Sequence, residues 1–187
     1  MRRISSVYLS GPERWAPGAE ALIARQHALC EAAGVQPLSA TPTALETQES
    51  SEIVARELYT EALATLRQAD AVIANLTPWR GPSGHPAVTF EAGFAAALGK
   101  PVFAYMNLRE EGEAEYVARV DGLLGVSVDE HGVIRDPEDT VVEDFGLPET
   151  AMLWAEARRF FCVVTVDPWD DVTGVELCLE AMKAYAD

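Results

Sequence analysis

The sequence predicts an α/β fold: a doubly wound parallel sheet of about five strands with helices on both faces. Three observations lead to it. Short apolar runs alternate along the chain with longer segments of helical periodicity. The run Ala71-Val72-Ile73-Ala74 has no polar face, as a strand buried on both sides of a parallel sheet requires. Between it and the next run, Val102 to Tyr105, lies a small-residue helical segment of the length a right-handed βαβ crossover needs.

The elements follow in order. Ile4 to Ser10 reads as the first strand, stopped by Gly11-Pro12. A helix spans about Gly18 to Ala33, with Ala21, Leu22, Leu29 and Ala32 near one face and Gly34 as its stop. Val35 to Leu38 is a short strand, Ser39 to Ser51 a polar loop, and Ser51 to Gln68 a second helix. After the strand at Ala71 comes a Pro- and Gly-rich loop, Thr77 to Pro86. A helix from about Pro86 to Leu98 follows, closed by Gly99-Lys100-Pro101. Residues 107 to 146 read as irregular, with a hairpin pairing Val126-Ser127-Val128 with Val133-Ile134 about a turn at His131-Gly132. The remainder reads as a helix from Pro148, a strand at Phe161 to Val166 and a last helix from about Asp170 to Tyr185. No repeat, low-complexity tract or linker divides the chain, so residues 1–187 read as one domain.

Composition narrows the function classes. Of 187 residues 49% are apolar, yet no stretch reaches the ~20 uninterrupted apolar residues of a membrane span. The apolar run after Arg2-Arg3 is too short for a signal-peptide core, so the cytoplasm is the expected location, with no membrane partner. Thirty acidic against fourteen basic residues give a formal charge of −16. That argues against a nucleic-acid polymer as partner, because neutralising phosphates needs clustered Lys and Arg. One small anionic ligand is still allowed. Cys30, Cys162 and Cys178 have neither disulfide nor zinc spacing and are expected to be small buried hydrophobes.

In a doubly wound sheet, ligands sit beyond the carboxyl ends of the strands. This selects Tyr8 with the Gly11-Pro12 turn, the loop Asn75 to His85, and Glu91. Glu91 falls early in the helix after the loop, where the helix dipole favours an ionised carboxylate. Such a group suits attack on an anomeric carbon; an ordinary helix-surface acid explains the position equally well. Ala92, Gly93, Ala95, Ala96 and Ala97 let this helix lie close to the sheet. Tyr8 then either fixes the Glu91 rotamer through its hydroxyl or is a core aromatic with a satisfied hydroxyl. Trp79 offers a stacking surface for a flat heterocycle, or serves as core or lid.

The segment Ala69 to Ser83 resembles nucleoside 2-deoxyribosyltransferases, and so do Phe90 to Ala95 and Ala97 to Tyr105. Val7-Tyr8-Leu9-Ser10-Gly11-Pro12 and Val142 to Glu149 add two more matching pieces in consistent order. The resemblance implies a flavodoxin-like fold and transfer of 2-deoxyribose between nucleobases by double displacement. Glu91 would attack C1′ and form a covalent deoxyribosyl intermediate, with Tyr8 orienting it. A second base, or water, would then release the sugar. The partners implied are a nucleoside and a free nucleobase, with no cofactor and no metal. They also include a second copy of the chain, in a homodimer or higher homo-oligomer with shared active sites.

Three positions depart from the family pattern. An acid expected six residues before the nucleophile is His85, an Asn expected after Leu-Pro-Glu is Thr150, and an Asn or Asp before Asp70 falls on Ala62, beside Glu61. One explanation is an altered base preference, with His85 protonating or hydrogen-bonding a leaving purine; the plain alternative is a solvated loop histidine. A second is kinship with deoxynucleoside 5′-monophosphate N-glycosidases, with Ser83, His85, Thr150 and Arg80 holding a phosphate. A third is a nucleoside- or nucleotide-binding protein without strong activity. Two motifs mislead: Asp144-Phe145-Gly146 has no kinase loops around it, and Gly81-Pro82-Ser83-Gly84 lacks the spacing of a nucleophile elbow.

Overall fold

A computed structural model describes residues 4–16, 18–40 and 51–186. Its first strand, β1 (Ser6–Ser10), is followed by a single 3-10 turn over Pro12–Trp15 and then α1 (Ala19–Ala32). Next come β2 (Gln36–Leu38), α2 (Glu52–Gln68), β3 (Ala71–Asn75), α3 (Pro86–Ala97) and β4 (Val102–Leu108). The chain continues through α4 (Tyr116–Leu124), a small hairpin of β5 (Ser127–Val128) and β6 (Ile134–Arg135), α5 (Ala151–Glu156), β7 (Ala157–Val164) and α6 (Thr173–Ala186). Five strands form one parallel sheet in the order β2-β1-β3-β4-β7, the flavodoxin-like arrangement. The predicted fold class holds.

The alternation of side chains along each strand sorts the core into two layers. Val7, Leu9, Ile73, Phe103 and Tyr105 pack on one face, against Cys30 of α1 and Val175, Cys178, Leu179 and Met182 of α6. Tyr8, Val72, Ala74 and Ala104 face the other way, against Leu66 of α2 and Val88, Ala92 and Ala95 of α3. Helix α3 is mostly small-sided, and its buried line of Val88, Glu91, Ala92 and Ala95 recurs at helical spacing. At the amino-terminal edge, Asp70 accepts hydrogen bonds from the backbone and hydroxyls of Ser5 and Ser6, which pull its carboxyl down to about 2.

Three expectations are corrected, and a fourth lies mostly outside the described residues. Residues 107 to 146 are less irregular than expected, because β4 runs on to Leu108 and α4 follows; the hairpin is present as β5 and β6. The helix expected from Pro148 is only the short α5, because the chain turns at Ala157 into β7, which pairs with β4 as far as Val164. Cys162 is exposed, since β7 is an edge strand whose outward residues stay open to solvent. The loop expected at Ser39 to Ser51 falls mostly on residues 41–50, outside those described; Ser51 caps α2 by accepting from the Val54 amide at 3.3 Å. Among the described residues, no helix is long and apolar enough to cross a membrane.

Candidate active site

Tyr8 and Ser10 stand two apart on β1 and therefore share the face that α3 covers. Both reach Glu91, which is only 4% exposed. The Tyr8 hydroxyl donates to Glu91 Oε1 at 3.1 Å, and the Ser10 hydroxyl donates to Oε2 in a short contact. Arg14, on the 3-10 turn after β1, places Nη2 3.4 Å from Glu91 Oε1 and 3.3 Å from the Tyr8 oxygen, to which it also donates. The carboxylate is thus gripped by three side chains from one short stretch, residues 8 to 14.

Electrostatics follow from this packing. Burial, then the Glu91 charge, pushes the Tyr8 phenol up to about 12, so it remains a donor at neutral pH. Burial alone would lower Arg14, but Glu91 and Tyr8 outweigh it and raise it further. His85 is depressed by burial first and then by the guanidinium groups of Arg14 and Arg80, with Glu91 opposing in part.

The turn carrying Arg14 is held from beneath by Glu13, a buried acid. Its carboxylate accepts from Gln26 Nε2 at 2.8 Å and from Asn75 Nδ2 at 3.1 Å. A side chain at Gly11 would push the Glu13 carboxylate off these partners, because a β-carbon there would lie 1.9 Å from Glu13 Oε2. Asn75, expected to bind substrate, has its amide engaged in this scaffold: its Oδ1 accepts from the Thr77 amide at 3.0 Å and the Thr77 hydroxyl at 2.6 Å.

The loop between β3 and α3 is fastened at its far end. Arg119 of α4 donates to the carbonyls of Pro82, Glu113 and Pro148. The buried Glu149 accepts from the Gly84 and Thr150 amides and lies 4.0 Å from Arg119. Gly84 has no room for a side chain, since an added β-carbon would sit 3.0 Å from Leu76 Cα.

His85 caps α3, its Nδ1 accepting from the Ala87 amide at 3.0 Å. That bond assigns the neutral ring a proton on Nε2, so His85 presents a donor rather than a ready acid. The neutral cap stabilises the fold fully above the unfolded histidine pKa of ~6.5, and the contribution is lost as pH falls below it. His85→Asn keeps a capping oxygen without titrating. Urea midpoints at pH 7 and pH 5 should therefore differ less for this variant than for the parent; equal differences would remove the cap from the account.

His85 also joins an aromatic row. Trp15 lies nearly parallel to it with centroids 6.3 Å apart, Trp79 is tilted against it at 5.4 Å, and Trp169 meets Trp79 edge-on at 5.3 Å. Arg80, in the left-handed region at φ 54°, stacks its guanidinium 5.2 Å from the Trp79 ring. Ser83 closes the loop by accepting the Trp79 amide at its carbonyl, 3.0 Å away. Thr150 precedes α5 without capping it through its side chain. Ala62 is buried in α2, and Glu61 is exposed. Sequence reasoning missed Ser10, Glu13, Arg14, Trp15, Arg119 and Glu149. Ser10 alone had a readable signal, the period-two spacing from Tyr8.

A cavity of about 370 Å³ opens nearby, bordered by Thr77, Pro82, Asn107, Arg119 and Trp169. Glu91, Tyr8 and His85 do not line it, so converging chemistry rather than volume marks the site. Among the described residues, no group of three or more His, Cys, Asp or Glu side chains is placed to hold a metal ion.

A family model described as nucleoside 2-deoxyribosyltransferase matches residues 7–152. Among solved structures, the fold is similar to a 2-desoxiribosyltransferase from Leishmania mexicana, with a TM-score of 0.57 and 25% identity over 97% of this chain and 95% of that one. A 2-deoxyribosyltransferase from Bacillus psychrosaccharolyticus is more distant, at TM-score 0.43 and 18% identity over 54% of this chain and 71% of that one. A conserved protein from Enterococcus faecalis V583 has a TM-score of 0.49 and 14% identity over 97% and 99% of the two chains. No curated protein sequence matches.

Proposed function

The chain belongs to the nucleoside 2-deoxyribosyltransferase family, and from that premise we propose that it transfers 2-deoxyribose between nucleobases through a covalent intermediate on Glu91. One observation carries the reading: the Glu91 carboxylate is buried between α3 and the carboxyl-terminal half of β1 and oriented by Tyr8, Ser10 and Arg14. A carboxylate held this rigidly has little orientational freedom to lose when it attacks. In the first half-reaction a Glu91 oxygen bonds to C1′ while the C1′–N bond breaks and its electron pair leaves with the base. The His85 Nε2–H is the donor offered to that base, which takes its proton from solvent. In the second half-reaction another base attacks C1′ from the vacated side, loses its N–H proton, and the ester bond to Glu91 breaks. Water in place of that base gives hydrolysis.

Trp15 and Trp79, flanking His85, supply aromatic surface for the heterocycle. The partner in this reading is a second copy of the chain. Tyr59 and Phe90 are each more than half exposed with rings 6.2 Å apart, and Phe90 adjoins the nucleophile. Light scattering that finds an active monomer would remove the shared-site arrangement.

A second reading, hydrolysis of deoxynucleoside 5′-monophosphates, draws on one observation: Arg14 and Arg80 both bring positive charge to His85. Chromatography separates the two. Deoxyinosine plus free adenine should yield deoxyadenosine. Cleavage of deoxynucleotides with deoxynucleosides untouched would replace the transferase by the hydrolase, and binding without turnover would leave a non-enzymatic protein.

A further inference from the structure

The grip on Glu91 is chemically lopsided. Tyr8 and Ser10 are neutral donors that can follow the carboxylate into an ester, whereas Arg14 is a cation whose contact with Oε1 is worth most when Glu91 carries its full charge. Its side chain is only 15% exposed, so water screens the pair weakly. It has little freedom to withdraw, because Glu13 anchors its turn to Gln26 and Asn75 and the adjacent Trp15 lies against His85.

Charge on Glu91 changes in opposite directions in the two half-reactions. Attack on C1′ turns the carboxylate into an ester, so a fixed cation at Oε1 holds the enzyme back toward its starting state. Breakdown of the ester returns the bonding electron pair to Glu91, and the same cation stabilises the carboxylate as it reappears. Only interactions that differ between ground and transition states alter a rate. We infer that Arg14 is a catalytic residue of the second half-reaction, stabilising Glu91 as leaving group and keeping the glycosyl-enzyme from accumulating. The incoming base or water bonds to C1′ and gives up one proton, the C1′–O bond to Glu91 breaks, and the proton balance cancels the one gained by the first base.

This inference rests on Glu91 as nucleophile, and one experiment tests the two separately. The full chain is mixed with deoxyinosine and no acceptor base, quenched in acid and read by intact-mass and peptide mass spectrometry, while hypoxanthine release is followed in time. The parent enzyme should show little adduct. Arg14→Gln should show a hypoxanthine burst, a deoxyribosyl adduct on Glu91 and steady turnover slower by about tenfold or more. Arg14→Lys should restore partition toward the parent. If Arg14→Gln does not fold, Arg14→Met reads the same quantity. A parallel fall of burst and turnover with no adduct would overturn the role of Arg14 and make it a structural support. Adduct on another residue, or unchanged turnover in Glu91→Ala, would overturn the nucleophile itself.

Discussion

Glu91→Ala is expected to lower transfer from deoxyinosine to adenine by ~10⁴-fold or more, the scale on which removing a covalent nucleophile acts. The change should appear in kcat, with KM moved only a few-fold, because the carboxylate makes its decisive interaction on the way to the transition state. The alanine variant also leaves the part-buried Arg14 without its carboxylate, so a folding defect must be separated from a chemical one. Glu91→Gln does this. Its amide oxygen can still accept from Tyr8, its amino group can donate to the Ser10 hydroxyl, and its volume is that of the parent. A folded Glu91→Gln protein with parental substrate binding and no turnover identifies the carboxylate as the reacting group. Retained turnover in either variant would make Glu91 a buried structural acid that ties α3 to β1 and the Arg14 turn.

What the sequence disclosed, and what it withheld, follows from the range of the interactions. The central strands were readable because burial on both faces leaves Val7 to Leu9, Ala71 to Ala74 and Val102 to Tyr105 almost wholly apolar. Helix α4 was not, because its buried residues are the adjacent pair Arg119 and Val120, one of them charged, while Leu123 and Leu124 face solvent. The apolar residues Val117, Val120, Leu123 and Leu124 do stand at helical spacing, but over nine residues they are too few to set a helix apart from an irregular run. Strand β7 begins Ala157-Arg158-Arg159, which suits a helix as well as an edge strand, and only the pairing with β4 decides. At the site, Tyr8 and Glu91 stood out through placement at strand ends and through the family pattern. Glu13, Arg14, Arg119 and Glu149 did not, since each is an ordinary charged residue until the fold delivers a partner from a distant segment. Asn75 was legible in one respect only: its position beside the crevice was readable, but its hydrogen bonds to Glu13 and Thr77 were not.

The largest effect on stability is expected at Arg119. Its guanidinium is almost enclosed and joins three segments that otherwise share little: the β3–α3 loop at Pro82, the chain before α4 at Glu113, and the run before α5 at Pro148. Burial pulls Arg119 below the ordinary arginine value, with Glu149 opposing, so its charge is retained at a desolvation cost that the carbonyls and Glu149 offset. Arg119→Met preserves length and apolar packing but removes every donor at once. The carbonyls of Pro82, Glu113, Ala114 and Pro148 lose this partner, and the fully buried Glu149 keeps two amide donors without the guanidinium. Breaking a buried pair from one side costs about 3–5 kcal/mol, and urea unfolding should show a loss of that size. Replacing Arg119 and Glu149 together, by Met and Gln, should recover part of it, because the uncompensated charge is then gone. The same loop ends in His85, so the folded fraction of Arg119→Met should also bind nucleoside more weakly. A loss below about 1 kcal/mol, the scale of an exposed ion pair, would show that water replaces the guanidinium and that the loop holds itself in place without it.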